Sequence, residues 1–155
     1  MLLDLNLTRF QDQLKIKTTA DKKRHIFDPI RQKWLVLQPE EFVRQLLILY
    51  LIEEKAYKKN RFSIEKGIYA IKKKYRRYDM LVLDEDMNPF LLVECKAPNI
   101  SLDVDNFWQL GTYNYQTQIP YLLLSNGHSS YCCALKHTEK SLRYLNDVPT
   151  YGEKP

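Results

Sequence analysis

Apolar residues recur at helical spacing over residues 39–55 and form one face of a predicted helix. Pro39 suits the first helical position, and Glu40 and Glu41 suit the positive N-terminal end of the helix dipole. The apolar face consists of Val43, Leu46, Leu47 and Tyr50. The pattern therefore predicts an amphipathic first helix.

Shorter apolar runs follow this helix, and polar turns separate them. The turn EDMN joins two of the runs, and an Asn-Gly pair at 126–127 joins two others. A second helix is predicted after the acidic start SLDVD. The predicted elements are strands at 61–68, 78–84 and 89–96, a helix from about 101 to 115, and strands at 119–127 and 131–136.

Length and composition predict a single domain of 155 residues. Hydrophobic residues make up 45% of the chain and charged residues 28%, which argues against global disorder. The core is predicted over about 37–136. Residues 1–36 form an N-terminal β extension, in which alternation over 9–36 predicts a β-hairpin, and residues 146–155 form a loose tail.

Positive charge is concentrated in one part of the chain. The formal net charge is +5, and residues 55–77 carry ten lysines and arginines against one acid, Glu65. Such a block suits a polyanionic partner, and within it Lys72, Lys73, Lys74 and Arg76 are candidate nucleic-acid ligands. The alternative is a solvated edge that keeps strands from aggregating.

Cysteine content and hydropathy bear on the compartment. Three cysteines, two of them adjacent, do not resemble a disulfide framework or a zinc site. A reducing cytoplasm is the simplest expectation. The N-terminus lacks a basic signal-peptide region, and the apolar run at 46–52 is too short to span a bilayer, so no membrane partner is expected.

The segment LLVECKAP at 91–98 ends an apolar strand with opposite charges. If the strands at 78–84 and 89–96 form a hairpin, paired positions sum to 173, and Asp79 lies opposite Glu94 with Cβ atoms roughly 5 Å apart. Lys96 shares the face of Glu94, because strand side chains alternate, and Cys95 points the other way. The pattern therefore predicts that Asp79, Glu94 and Lys96 converge.

Two carboxylates so close repel each other unless a cation lies between them. Mg²⁺ suits carboxylate oxygens together with water and phosphate, and the backbone carbonyl of Cys95 is a possible further ligand. Such a metal activates water and polarises a phosphodiester, while Lys96 orients the water or stabilises charge on the phosphate. The alternative is an ordinary set of exposed charges at strand ends.

The segment YRRYDMLVLDEDMNPFLLVECKAP resembles the PD-(D/E)XK nuclease superfamily. The chain is more closely similar to the N-terminal nuclease domain of type I restriction enzyme R subunits, in a small stand-alone form. The resemblance covers about residues 28–135. Its motifs are PEEFVRQ, the R-x-D of Arg77–Asp79, VECKAP, QLGTYN and PYLLLSNG followed by YCC.

The resemblance implies a restriction-endonuclease-like α/β fold, with an αβββαβ core whose mixed central sheet is flanked by helices. Asp79, Glu94 and Lys96 match the signature triad. The family commonly adds an acid from the first helix, and Glu41 and Gln45 are both candidates; the charge preference of a helix N-terminus is the other explanation for Glu41.

Three further residues are candidates for supporting roles. Gln109 and Tyr113 form a Q-x3-Y pair that resembles one supporting the site or contacting DNA in related nucleases. Core packing is the alternative for this pair. Arg77, two residues before Asp79, is expected to share its strand face and to hold phosphate or pair with Asp79.

Two functions from different classes remain open. The first is a metal-dependent nuclease with DNA as the favoured substrate. Its expected metal is Mg²⁺, and Mn²⁺ can substitute for it. The second is a catalytically weak nucleic-acid-binding or assembly module on a nuclease fold. No G-x4-GK[ST] motor motif is present, so a homodimer or separate motor and specificity subunits are possible partners.

Overall fold

A six-stranded mixed sheet with helical structure on both faces organises the chain. The computed structural model describes residues 1–65, 67–69, 75–103, 105, 107–111 and 118–155, and for 67–69 and 75–77 it describes the backbone only. A 3₁₀ helix over Leu7–Gln13 precedes strands β1 (Ile16–Thr18), β2 (Arg24–Asp28) and β3 (Lys33–Val36), then helix α1 (Pro39–Lys55). A short 3₁₀ helix over Lys59–Arg61 leads into β4 (Phe62–Ile64), β5 (Gly67–Tyr69), β6 (Tyr75–Arg77), β7 (Met80–Leu83), β8 (Pro89–Cys95), β9 (Tyr121–Ser125), β10 (Ser130–Lys136) and β11 (Ser141–Tyr144).

The six-stranded sheet has the order β11-β10-β9-β8-β7-β4. The central pair β8 and β9 is parallel, and its neighbours are antiparallel. A parallel pair needs a crossover connection, and the crossover segment contains helical residues at 105 and 107–111. The predicted restriction-endonuclease-like core is therefore confirmed, although much of the second predicted helix lies outside the described residues.

Each face of the sheet packs its own hydrophobic cluster. Helix α1 buries Val43, Leu46 and Leu47 against one face, where they meet Val93 and Cys95. The crossover segment buries the ring of Phe107 against the other face of the sheet. The ring packs among the strand residues that alternate with those facing α1. That second cluster contains Phe107, Leu81, Leu92, Leu122 and Leu124. Strands covered on both faces explain why their sequences read as continuous apolar runs.

The N-terminal extension differs from the predicted hairpin. Strands β1, β2 and β3 form a separate three-stranded antiparallel sheet, and residues 7–13 are 3₁₀-helical with Leu7 and Phe10 buried. The alternation predicted extended structure over 9–36, which is correct for β1, β2 and β3 and wrong for residues 9–13. It gave too few strands, because Lys33–Val36 pairs with β2 as a third strand.

The first strand after α1 is also shorter than predicted. Residues 61–68 were expected to form one strand, but β4 ends at Ile64, and β5 pairs with β6 in a two-stranded sheet of its own. Glu65 at this boundary has φ 53°, a left-handed conformation that ends the pleat. Arg77 belongs to β6 and pairs with Gly67, so the expectation that it shares a strand with Asp79 is wrong.

The loose tail predicted over residues 146–155 is instead packed on the core. Val148 is buried, the Tyr57 hydroxyl donates to the Pro149 carbonyl at 3.1 Å, and the Tyr151 hydroxyl donates to the Leu83 carbonyl at 2.9 Å. These anchors have no periodic spacing, so no strand or helix pattern reveals them. No helix that the structure describes has the length and apolar character needed to cross a bilayer.

Candidate active site

The hairpin of β7 and β8 has the register predicted from the sequence. Met80 pairs with Val93, Leu81 with Leu92 and Val82 with Leu91, and each of these pairs sums to 173. Continuing this register by one position places Asp79 opposite Glu94. The backbone N–H of Cys95 donates to Oδ2 of Asp79 at 2.6 Å, which fixes the carboxylate at the end of the hairpin.

Lys96 joins the two carboxylates, as the alternation of strand side chains predicts. Its backbone N–H donates to the Ser125 carbonyl at 2.8 Å, which continues the parallel pairing of β8 and β9 to this residue. Its Nζ lies 3.2 Å from Oε1 of Glu94. The structure therefore brings Asp79, Glu94 and Lys96 together at one end of the sheet.

Cys95 points to the opposite face, into the cluster beneath α1. Burial raises the pKa of its thiol well above the ordinary value, so the sulfur stays protonated. Any contribution of Cys95 to a metal site would therefore come from its backbone carbonyl, as predicted. Cys132 and Cys133 are also buried free thiols.

A third carboxylate lies in the same row across the strands. Glu65 follows Ile64, the partner of Met80, and its backbone N–H donates to the Asp79 carbonyl at 3.0 Å. Its side chain is directed to two arginines, with Oε2 3.0 Å from Arg31 and Oε1 3.0 Å from Arg44. The row of strand ends thus presents Glu65, Asp79 and Glu94 in order.

Two arginines, the buried Arg44 and the half-buried Arg31, connect this row to α1. Arg44 is 5% exposed and binds Oε2 of Glu41 at 2.6 Å, while its Nη2 lies 3.7 Å from Oδ1 of Asp79. Arg31 binds Oε1 of Glu41 at 2.5 Å and Oδ2 of Asp28 at 2.5 Å. We call Asp28, Arg31, Glu41, Arg44 and Glu65 the buried ion-pair network.

The charges around the site do not balance. Asp79 and Glu94 with the three acids of the network make five carboxylates, whereas Arg31, Arg44 and Lys96 supply three cations. When all are ionised, the formal charge is therefore −2. This local acidity contrasts with the net charge of +5 for the whole chain.

Burial and mutual repulsion shift the pKa values of these groups. Burial, with the Asp79 charge as the next cause, raises the pKa of Glu94 to about 7 against the lowering effect of Lys96. Burial also raises the pKa of Glu41, although Arg44 and Arg31 oppose this. For Arg44 burial acts to lower the pKa, but the surrounding acids, Glu41 foremost, outweigh it and raise the value.

Glu94 is expected to make stability in EDTA decrease as pH rises. The carboxyl loses its proton near pH 4.3 in the unfolded chain and near 7 in the fold, so the folded state binds more protons between these values and stability falls across that window. Across this window the free energy of unfolding should fall by a value on the order of 2 kcal/mol. Glu94→Gln should abolish this fall, and Mg²⁺ should offset it in the unaltered chain. Chemical denaturation at pH 5 to 8.5 measures the effect.

Glu139→Gln provides the control, since Glu139 is 60% exposed and its described side-chain partners are Lys136 and the Ser141 hydroxyl, both away from the site. This variant should keep the slope of the unaltered chain. Equal slopes for the unaltered chain and Glu94→Gln would show that Glu94 is ionised throughout the range.

The remaining predicted site residues fall into two groups. Gln45 is buried, and its Nε2 has no hydrogen-bond partner among the described residues; it lines a cavity of about 290 Å³ that Asp79, Glu94 and Lys96 do not line. Gln109 is exposed on the helical segment 107–111. Tyr113 and the side chains of Lys72, Lys73, Lys74, Arg76 and Arg77 lie outside the described residues.

Part of the basic block is engaged in ion pairs. Lys55 contacts Asp147 at 2.5 Å, and Lys58 and Arg61 both contact Glu85. These three cations are therefore held at the protein surface by local acids. The two interpretations of residues 66–77 remain predictions.

Sequence reasoning missed Arg31 and Arg44. Arg44 lies one turn from Glu41, and at i, i+3 a Glu–Arg pair is a recognisable signal. Arg31 lies in a turn far from the motif and gives no such signal. Among the described residues, no group of three or more His, Cys, Asp or Glu side chains has the arrangement to hold a metal ion.

The sheet order and the paired strand ends define an α/β fold of the restriction-endonuclease-like class. Residues 39–149 match the model of the family described as the type I restriction enzyme R protein N terminus, and the chain belongs to this family. That match covers the two carboxylates and Lys96 and leaves out the N-terminal sheet. No curated protein matches the chain.

A solved structure shares this fold. It is a fragment of a putative HsdR subunit of a type I restriction enzyme from Vibrio vulnificus YJ016, with 18% identity and a TM-score of 0.50. The match covers 73% of this chain and 24% of that one. At this identity the similarity concerns the fold, and the chain corresponds to about a quarter of that fragment.

Proposed function

We propose that the chain is a metal-dependent nuclease that hydrolyses phosphodiester bonds in DNA. The observation that carries this proposal is the pairing of Asp79 with Glu94 at the strand ends, with Lys96 3.2 Å from Glu94. Membership in the type I restriction enzyme R N-terminal family supports it and favours DNA as substrate. Endonucleolytic cleavage is the form of the reaction that this family membership favours.

The donor atoms present suit Mg²⁺, with Mn²⁺ as its substitute. Mg²⁺ is usually held by one or two carboxylates with waters and phosphate, and Asp79 and Glu94 with the Cys95 carbonyl offer that set. The formal charge of −2 and the raised pKa of Glu94 both indicate that a divalent cation would relieve repulsion here. When bound, the metal would polarise the phosphate and activate water.

The residues of the chain supply position and charge. The Cys95 N–H holds one oxygen of Asp79, and Arg44 lies near the other, so the carboxylate cannot rotate freely. Lys96 lies where it can orient the attacking water and stabilise the negative charge that develops on the phosphate. Glu41 of α1 contributes through Arg44, which it holds at 2.6 Å.

Metal titration together with plasmid nicking tests the proposal. The unaltered chain should bind Mn²⁺ and Mg²⁺ by calorimetry and nick supercoiled plasmid. Asp79→Asn should lose both activities, since it removes one of two carboxylate ligands. The control Asp86→Asn changes an exposed turn acid and should retain both.

A chain that binds metal through Asp79 but cleaves no nucleic acid would favour the second candidate, a binding or assembly module acting with separate motor and specificity subunits. A chain that binds no metal would overturn the proposed function.

A further inference from the structure

The three-stranded N-terminal sheet precedes the family-matching residues. One of its faces is open to solvent at Trp34 and Val36, while Lys15 and Phe27 of that face line a cavity with α1. The register of the sheet places Lys15, Phe27 and Trp34 in one row and Lys17, His25 and Val36 in the next. These two rows share a face because strand side chains alternate. We call these six residues the outward face.

The two faces of this small sheet differ in burial. The opposite face carries Ile26, which is fully buried between Ile16 and Leu35. On the outward face, Trp34 is 39% exposed and Val36 47% exposed. Trp34 and Val36 therefore form a small exposed apolar patch beside the ring of Phe27.

Aromatic rings and ammonium groups alternate on the outward face. Nζ of Lys17 lies 4.2 Å from the centroid of the Trp34 ring, and Nζ of Lys15 lies 5.5 Å from the centroid of Phe27. The two rings lie next to each other, with centroids 5.4 Å apart. Cations are therefore held beside the ring surfaces rather than dispersed in solvent.

The charge of this sheet is almost all of one sign. Six of its cations form no ion pair with any residue that the structure describes; they are Lys15, Lys17, Lys22, Lys23, Arg24 and Lys33. Arg31 faces inward to the buried ion-pair network. Within residues 14–36 Asp21 is the one exposed acid, because Asp28 is buried, and Glu53 of α1 lines the same cavity as Lys15.

We propose that the outward face binds a single strand of nucleic acid, with an unpaired base stacked on Trp34 and phosphates held by Lys15 and Lys17. Base–aromatic stacking combined with lysine–phosphate contacts is how single strands bind without sequence readout. A duplex offers no unpaired base to the ring. The inference deepens the proposed function and rests on it for the choice of a nucleic acid as the polyanion.

Tryptophan fluorescence tests this contact directly. The chain has two tryptophans, so Trp108→Phe leaves Trp34 as the only tryptophan, and excitation at the red edge of the absorption band selects it over the 11 tyrosines. Titration with oligothymidylate of about 12 nucleotides, in EDTA to prevent cleavage, should quench the emission with a saturable curve. A duplex of the same length should quench less.

Affinity measured by anisotropy of a labelled oligothymidylate should depend on the same residue. Trp34→Ala should weaken binding about tenfold or more, while Trp34→Phe retains most of it. Trp108→Ala is the matched control, because Trp108 is also exposed, at 47%. Lys15→Gln with Lys17→Gln should lower the salt slope by roughly 1.4, from about 0.7 for each phosphate contact.

Three results would overturn the inference. The first is unquenched Trp34 emission with unchanged affinity in Trp34→Ala. The second is equal quenching by duplex and single strand. The third is a chain that binds no oligonucleotide and sediments as a dimer, which Trp34→Ala dissociates. The outward face would then be an interface between copies of the chain.

Failure of the inference can be distinguished from failure of the proposed function. Binding in EDTA that quenches Trp34, in a chain that never nicks plasmid, supports the inference and contradicts the nuclease. If nicking depends on Asp79 but oligonucleotide leaves the Trp34 emission unchanged, the result supports the nuclease and contradicts the inference.

Discussion

Lys96→Met is expected to lower the rate of plasmid nicking by about 100-fold or more while the chain remains folded and binds metal. Removing one preorganised group that stabilises developing charge typically costs a factor of about 10² to 10³. Lys96 is 30% exposed, and its ammonium contacts Glu94. Methionine keeps an apolar side chain of similar length and removes this charge. Single-turnover nicking at saturating Mn²⁺ measures the effect.

Metal binding must be measured alongside, because Lys96 also lowers the pKa of Glu94. Without the ammonium, Glu94 holds its proton to higher pH, and metal affinity near neutrality falls. A bound divalent cation favours the ionised carboxylate in both proteins, so a rate difference that remains at saturating metal and alkaline pH reports on Lys96 itself. Lys136→Met, at the exposed end of β10, removes the same charge away from the site and should nick normally.

A rate within about threefold of the unaltered chain would contradict the role proposed for Lys96. If both proteins bind metal but neither nicks DNA, the comparison instead supports the binding or assembly module. The two results are separated by the behaviour of the unaltered chain, which must nick plasmid for the nuclease hypothesis to stand.

The hairpin register could be predicted because its determinants are local. Two apolar strands joined by the turn EDMN have one simple pairing, and the bulge between Val82 and Leu83 lies on the turn side of the pairs that matter. Asp79 and Glu94 therefore come together as expected. Helix α1 was predicted with its observed bounds, since Pro39 and the apolar face define it clearly.

The buried ion-pair network could not be predicted because it joins distant segments. Arg31 lies in a turn of the N-terminal sheet, Glu41 in α1 and Glu65 at the end of β4, and neither periodicity nor spacing relates these positions. Arginine and glutamate are usually exposed, so a sequence pattern places them in solvent. The packing of the tail could not be predicted for the same reason, since Val148 and Tyr151 are isolated anchors whose partners lie far along the chain.

Arg44→Met is expected to destabilise the fold by about 3 kcal/mol, measured by chemical denaturation. Breaking a buried ion pair typically costs about 3 to 5 kcal/mol, because it leaves an uncompensated charge in a low-dielectric environment. Here Glu41 is 8% exposed and loses one of its two arginines, while Arg31 continues to compensate it, so the lower end of the range applies. Arg9→Met removes an exposed arginine that pairs with Glu54 and should change stability by less than about 0.5 kcal/mol.

A double-mutant cycle separates the ion pair from the packing of the arginine side chain. If the unpaired Glu41 charge causes the loss, Glu41→Gln in the Arg44→Met background should restore about 1 to 2 kcal/mol, because a neutral amide has a smaller cost of burial. Additive single effects would place the loss in packing instead. Because Arg44 also lies 3.7 Å from Asp79, the same cycle measured on Mn²⁺ affinity shows whether the network holds Asp79 for metal binding or serves stability alone.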